Sequence, residues 1–186
     1  FPQSENLYTC NRDNGKLSIK PEELQNKDFV VFGMKACDIR GIEVLDRVFL
    51  SDPIDTFYAA RRDHGIIVAL ACNKPEESCF CKAFGIDCSE PGGADVVTWM
   101  VGDDLYWNPV TEKGNTLTEL AGDLLADADE ATVDGKKAEI KAIVEKLPYA
   151  NISLEGWNGD VLTEKFDSEL WEELYKPCLA CGTCTF

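Results

Sequence analysis

The chain has 186 residues, 34 acidic against 18 basic for a net charge of −16, and 45% of it is hydrophobic. That length and apolar share suit one folded domain, or one domain and the start of another. The acidic balance argues against nucleic acid or an anionic membrane as partner, and no run approaches the roughly 18 to 20 apolar residues of a membrane helix.

No signal peptide is visible. The chain opens on Phe1-Pro2-Gln3 without a methionine and ends two residues after Cys184, so it reads as a piece of a longer protein. Leu7-Tyr8-Thr9-Cys10 predicts a short strand. Phe29-Val-Val-Phe-Gly33 is an apolar run closed by glycine, which predicts a buried strand. From Asp38 to Leu50 the apolar residues recur at helical spacing, with Asp38 placed to cap. A second helix is expected over Ile54–Asp63, and Gly65–Ala71 predicts another buried strand, ending at Cys72. Strand, helical connection and strand imply a parallel α/β unit.

Gly92-Gly93 breaks the chain again. Asp95–Val101 and Leu105–Val110 then read as a hairpin turned by Gly102-Asp103-Asp104. Helices are expected over Leu117–Leu125 and Lys136–Leu147, separated by the acidic stretch Ala126–Asp134. A last one is expected over Leu162–Tyr175, with Phe166, Leu170, Trp171 and Leu174 on one face. The fold class expected is α/β. A parallel-sheet domain (residues 1–110) is followed by a mainly helical connection (111–175), then by the start of a ferredoxin-like [4Fe–4S] domain (176–186).

Nine cysteines need an account. An odd number in C-x-C and C-x₂-C clusters fits a disulfide framework poorly and metal binding well. Cys37 closely follows the first long strand, Cys72 ends the next, and Cys79-Phe80-Cys81 lies in the loop beyond it. Neighbouring parallel strands share a carboxyl edge, so all four thiols are expected there. Four thiolates suit an iron–sulfur cluster, and they also suit a structural zinc ion. Zinc ribbons usually pair C-x₂-C knuckles, which this half of the chain lacks. At the other end, Cys178-Leu-Ala-Cys181-Gly-Thr-Cys184 carries the C-x₂-C-x₂-C spacing of ferredoxins without a fourth cysteine. That run tips the reading towards iron.

Cys10 and Cys88 are left over, Cys10 as a buried hydrophobe and Cys88 as a rival ligand. His64 reads as a turn residue. Arg61 and Arg62 face either a cluster or, more simply, acidic neighbours. Asp38 and Arg40 flank Cys37, where they suit ligand support or ordinary capping and pairing. Phe32, Phe80 and Phe84 suit a dry shell or ordinary core. There is no G-x-G-x-x-G opening a helix and no P-loop.

Phe32-Gly-Met-Lys-Ala-Cys-Asp-Ile-Arg-Gly-Ile42, Leu45-Asp-Arg-Val-Phe49, Tyr58-Ala-Ala-Arg-Arg62, Cys72-x₆-Cys79-Phe-Cys81 and Cys178–Cys184 together resemble a known family. The pattern is similar to the β subunit of soluble sulfhydrogenase-type [NiFe] hydrogenases and to the matching iron–sulfur subunit of anaerobic sulfite reductase. The resemblance implies a cytoplasmic electron-transfer subunit carrying [4Fe–4S] clusters. It implies that Cys37, Cys72, Cys79 and Cys81 hold the first. Cys178, Cys181 and Cys184 would begin a second, its fourth ligand lying outside this segment. It also implies a catalytic centre on another subunit. A flavin-binding subunit would be a further partner, in a hydrogenase, sulfite-reductase or bifurcating complex. The alternative is a zinc-stabilised scaffolding subunit.

Overall fold

The computed structural model describes residues 4–181. It divides into two compact units, Phe1–Asn151 and Ile152–Phe186.

The first unit opens with a two-stranded antiparallel hairpin, β1 (Tyr8–Asp13) and β2 (Lys16–Pro21). Asn14 and Gly15, both at positive φ (47° and 79°), turn it. This is the Asn-Gly geometry of a tight hairpin, and β2 adds a strand that the apolar pattern does not predict. Every residue of the hairpin is exposed, including Cys10, which is therefore no buried hydrophobe.

A four-stranded sheet in the order β3-β4-β5-β6 forms the body, from β3 (Phe29–Met34), β4 (Gly65–Leu70), β5 (Val96–Val101) and β6 (Asp104–Pro109). β3, β4 and β5 run parallel, and β6 returns antiparallel to β5 through the expected hairpin. The protein is thus α/β with a mixed, mostly parallel sheet. Helices α1 (Ala36–Phe49) and α2 (Thr56–His64) connect β3 to β4. α1 starts two residues before Asp38, and the Asp38 carboxylate instead accepts from the Lys35 N–H at 3.3 Å. Asp55 caps α2 by accepting from the Tyr58 N–H at 2.9 Å.

The stretch expected as a connection supplies two helices to this unit. α3 (Glu112–Leu120) starts at Thr111, whose hydroxyl accepts from the Gly114 N–H. α4 (Glu130–Val144) starts inside the acidic stretch, capped by Asp129. Acidic residues at a helix start oppose the positive end of its dipole, so that stretch is a helix signal and not a spacer.

Alternation along the strands sorts the two faces. Ile67, Ala69, Val97 and Trp99 pack with Ile39 and Ile42 of α1 and with Ile140 and Val144 of α4. Val68, Val96 and Thr98 face the other way, fully buried, towards the side of α3. There Gly114 comes so close that a Cβ would collide with the Asp95 carbonyl oxygen. Burial of the first face supplies most of the drive to fold, at roughly 1.5–3 kcal/mol for each large apolar side chain.

In the second unit the single expected helix is two short ones, α5 (Gly159–Glu164) and α6 (Leu170–Leu174). The Ser168 hydroxyl accepts from the Leu170 N–H across the break. Phe166, Leu170, Trp171 and Leu174 are all exposed.

α1 and α2 are tied by one polar knot. Arg62 grips Asp46 through two bonds of 2.8 and 2.9 Å, and the Tyr58 hydroxyl donates to the same carboxylate at 2.7 Å. The Arg62 bonds, helped by Tyr58 and opposed by partial burial, hold the Asp46 carboxyl below its ordinary value. A lowered folded value stabilises the fold above the unfolded pKa, and that share is lost as pH falls below about 4. Asp46→Asn is expected to cost about 1–3 kcal/mol in urea unfolding at neutral pH. It should also lose less stability than the native chain between neutrality and acid. Equal acid sensitivity in the two proteins would show that the knot contributes nothing.

Candidate metal centre

The parallel run of β3, β4 and β5 puts their carboxyl ends on one edge, where the cysteines collect. Cys37 is the second residue of α1, directly after β3. Cys72 lies two residues past the end of β4. The connection from Ala71 to Asp95 contains no α-helix, only a 3₁₀ turn over Cys81–Phe84. Parallel crossovers usually hold a helix. Here the cysteine loop takes that place, with Cys79 before the turn and Cys81 as its first residue.

The thiols feel one another. Partial burial raises the Cys37 pKa, and the charges of Asp38 and Cys81 raise it further. Burial also raises that of Cys72; Lys35 opposes the rise, and Cys79 and Cys81 add to it. Cys37, Cys72, Cys79 and Cys81 therefore form one electrostatic group, linked through Cys81 and Cys72. Backbone N–H groups point at three of the four sulfurs. Cys37 receives its own and that of Asp38, Cys72 that of Lys74, and Cys79 that of Glu76 at 3.3 Å. Cys37 also occupies the positive end of α1, which favours a thiolate. Cys72 and Cys81 pack against the core, and Cys37 faces outwards.

Donors that are all sulfur, with N–H groups directed at them, match the chemistry of an iron–sulfur cluster. Among the described residues, no three of His, Cys, Asp or Glu stand close enough to hold one metal ion.

The other candidates have different work. His64 ends α2 at the amino edge of the sheet, with Nδ1 2.8 Å from the Asp28 carboxylate. Arg61 pairs with Glu5 and Arg62 with Asp46, the simpler of the two expectations. Arg40 pairs with Glu43 along α1. Phe32, Phe80 and Phe84 are 59%, 56% and 57% exposed, so none is core; Phe80 and Phe84 form a ring pair at 5.5 Å on either side of the turn. In the second unit Cys178 and Cys181 are exposed, and Cys184 lies outside the described residues.

Lys35 was missed, and Cys88 was expected only as a rival ligand. Lys35 is the cation acting on Cys72. Cys88 joins the thiol group through the charges of Cys81, Cys72 and Cys37, and its thiol lies 3.9 Å from the Ile86 carbonyl. The signal for Cys88 was chain direction. The crossover must return to the amino edge by Asp95, whose N–H bonds the Ile67 carbonyl. Ser89–Ala94 is about the length of six-residue β4, which leaves Cys88 at the carboxyl edge.

A parallel sheet whose carboxyl edge collects thiols makes this a cysteine-site α/β domain. Among curated proteins, the sulfhydrogenase 2 β subunit of Pyrococcus furiosus is 34% identical over 157 residues, covering 84% of this chain and 46% of that protein. Over the matched residues the chain belongs to a sulfhydrogenase β-subunit-like family, and it spans about half the length of that relative. No family model and no solved structure matches it. No helix among the described residues is long and apolar enough to cross a membrane.

Burial ranks the thiols in reactivity. Cys88, 6% exposed, is pushed up to about 12, first by burial and then by Cys81. In metal-free protein, iodoacetamide is expected to label exposed Cys10 more than about tenfold faster than Cys88, since the thiolate is the nucleophile. Peptide mass mapping reads the order, and equal rates would show the Cys88 loop to be open.

Proposed function

We propose that this chain is an iron–sulfur electron-transfer part of a multi-subunit oxidoreductase. The convergence of Cys37, Cys72, Cys79 and Cys81 on one sheet edge carries the reading. A [4Fe–4S] cluster there would be held by those four thiolates, and when bound it supplies one-electron transfer. The chain's own residues hold the thiolates apart and direct N–H groups at three sulfurs, which favours negative charge on them. Cys72 and Cys81 set the inner side against packed apolar core, which keeps water away. Cys37 faces out, giving the site a side open to a redox partner.

Cys178, Cys181 and Cys184 begin a second, ferredoxin-type site within a domain starting near residue 176, its fourth ligand supplied from beyond this segment. The name of the matched relative, a sulfhydrogenase subunit, supports a hydrogenase-type complex. The expected partners are a flavin-binding or ferredoxin-linked subunit on one side and a catalytic subunit on the other, in the cytoplasm. The reacting metal would then belong to the catalytic subunit.

Iron and acid-labile sulfide in full-length protein purified anaerobically test the reading, with EPR before and after dithionite. About four of each per site are expected. Cys79→Ser should remove the first site's signal and leave the ferredoxin-type one. Loss of every signal from a still-folded variant would deny two independent sites. Zinc without sulfide would sink the reading in favour of a scaffolding role.

A further inference from the structure

The cysteine loop and α4 meet through matched charge. Lys137 and Lys141 of α4, and Glu145 just past its end, stand four residues apart and so share one face of the helix. The loop passes them in the opposite sense. Glu90 pairs with Lys137 at 3.0 Å, Asp87 with Lys141 at 3.7 Å, and Lys82 with Glu145. Two of these rungs are anchored further. Asp87 also accepts from the Ser89 N–H at 2.8 Å and hydroxyl at 2.6 Å, and Lys137 lies 5.0 Å over the buried Trp99 ring. Apolar contact accompanies the charges, since Cys88 packs in the core cluster with Ile140 and Val144 of α4.

The third rung has its signs reversed, with the acid on the helix side and the base on the loop. A slip of one rung would therefore set Lys82 against Lys141, or Asp87 against Glu145. Exposed ion pairs add little stability one at a time, but a mixed order of signs rejects wrong alignments. The helix itself gives no reason for Glu145. A helix carries partial negative charge at its C-terminal end, where a cation is favoured. The reason stands on the loop, in Lys82, the residue directly after Cys81. Lys82 belongs to the same 3₁₀ turn as Cys81, closed by the Gly85 N–H on the Lys82 carbonyl and the Ile86 N–H on the Cys81 carbonyl. What holds Lys82 holds that turn.

We propose that α4 is a positioning helix for the first site: its three ion pairs hold the cysteine loop in alignment and thereby keep Cys81 in place. The consequence for a cluster rests on the reading of Cys81 as a ligand; the hold on the loop does not.

The test is hydrogen–deuterium exchange read by mass spectrometry on full-length protein purified anaerobically, with iron, sulfide and EPR followed in the same samples. Glu145→Lys sets a lysine against Lys82 while suiting the helix dipole, so the helix should hold and the loop loosen. The amides of Ala83, Gly85 and Ile86, all bonded within the turn, should exchange about three- to tenfold faster than in the native protein. Those of β5 should keep the native rate. Glu145→Gln, which removes the attraction without adding repulsion, should fall between. The differences should shrink in 1 M salt, where the screening length is about 3 Å. The first-site signal, which Cys79→Ser abolishes, should fade faster under an iron chelator in Glu145→Lys than in the native protein. Native exchange in Glu145→Lys overturns the inference. So does faster exchange that salt leaves unchanged, which would make the effect one of shape and not of charge. A loosened loop whose first-site signal fades at the native pace also overturns it, by separating the loop's hold from the site. Native protein without sulfide removes the cluster reading, and the exchange series then still decides whether α4 holds the loop.

Discussion

Parallel hydrogen bonding of β3, β4 and β5 is the constraint on which the site depends. Antiparallel neighbours would send Cys37 and Cys72 to opposite edges; parallel ones deliver both to the same edge. The same pairing forbids a tight turn between β4 and β5, because the chain must travel back to the amino edge. That return usually runs through a helix, which consumes its own N–H groups. Here it is irregular, and its N–H groups need acceptors elsewhere. Those of Lys74 and Glu76 find them in the sulfurs of Cys72 and Cys79. The loop therefore supplies thiols and the donors that serve them from the same few residues. α1 and α4 cover the sheet face that a crossover helix would have helped to cover.

One glycine of this return serves packing. Gly93 sits at positive φ (77°), and a Cβ there would stand 3.0 Å from the Ile39 side chain of α1. The descent from Cys88 to Asp95 thus lies hard against α1. Asp95 then closes the strand start by accepting from the Ile67 N–H at 2.8 Å and from the Thr111 hydroxyl at 2.6 Å. One carboxylate so fixes the amino ends of β4 and β5 and the entry to α3, at the far edge of the sheet from the thiols.

Strands β3 and β4 were legible because each is an apolar run bounded by a breaker, and the β5–β6 hairpin because its turn is glycine and aspartate. Helix starts were less so. Glu112–Asn115 holds no large apolar residue, so hydrophobic spacing sees α3 only from Leu117, whereas the Thr111 cap sets its true start. The same holds for α4, whose first turn is acidic. The Leu162–Tyr175 stripe keeps helical spacing through a break at Ser168, since periodicity reads side chains and not the backbone bonds that a serine can intercept. At the site, strand direction alone placed four thiols together. Cys88 stayed only a rival because its place depends on how far the crossover runs before descending, a length visible only once Asp95 is known to pair with Ile67.

A chain of net charge −16 would be an unusual host for the cluster proposed at the thiol edge, which adds further negative charge, and the cations do not resolve this. Arg61, Arg62 and Lys82 are committed to Glu5, Asp46 and Glu145. Lys35 is the cation acting on Cys72, and Asp38 opposes it at Cys37. What remains is dipolar: the start of α1 at Cys37, and N–H groups in contact with three sulfurs. Dipoles at contact distance are not screened by salt, whereas surface carboxylates more than about 8–10 Å away largely are. The thiol edge therefore responds to its own loop rather than to the net charge of the protein. The acidic surface acts at long range, where summed charge bears on the rate of encounter rather than on the thiols.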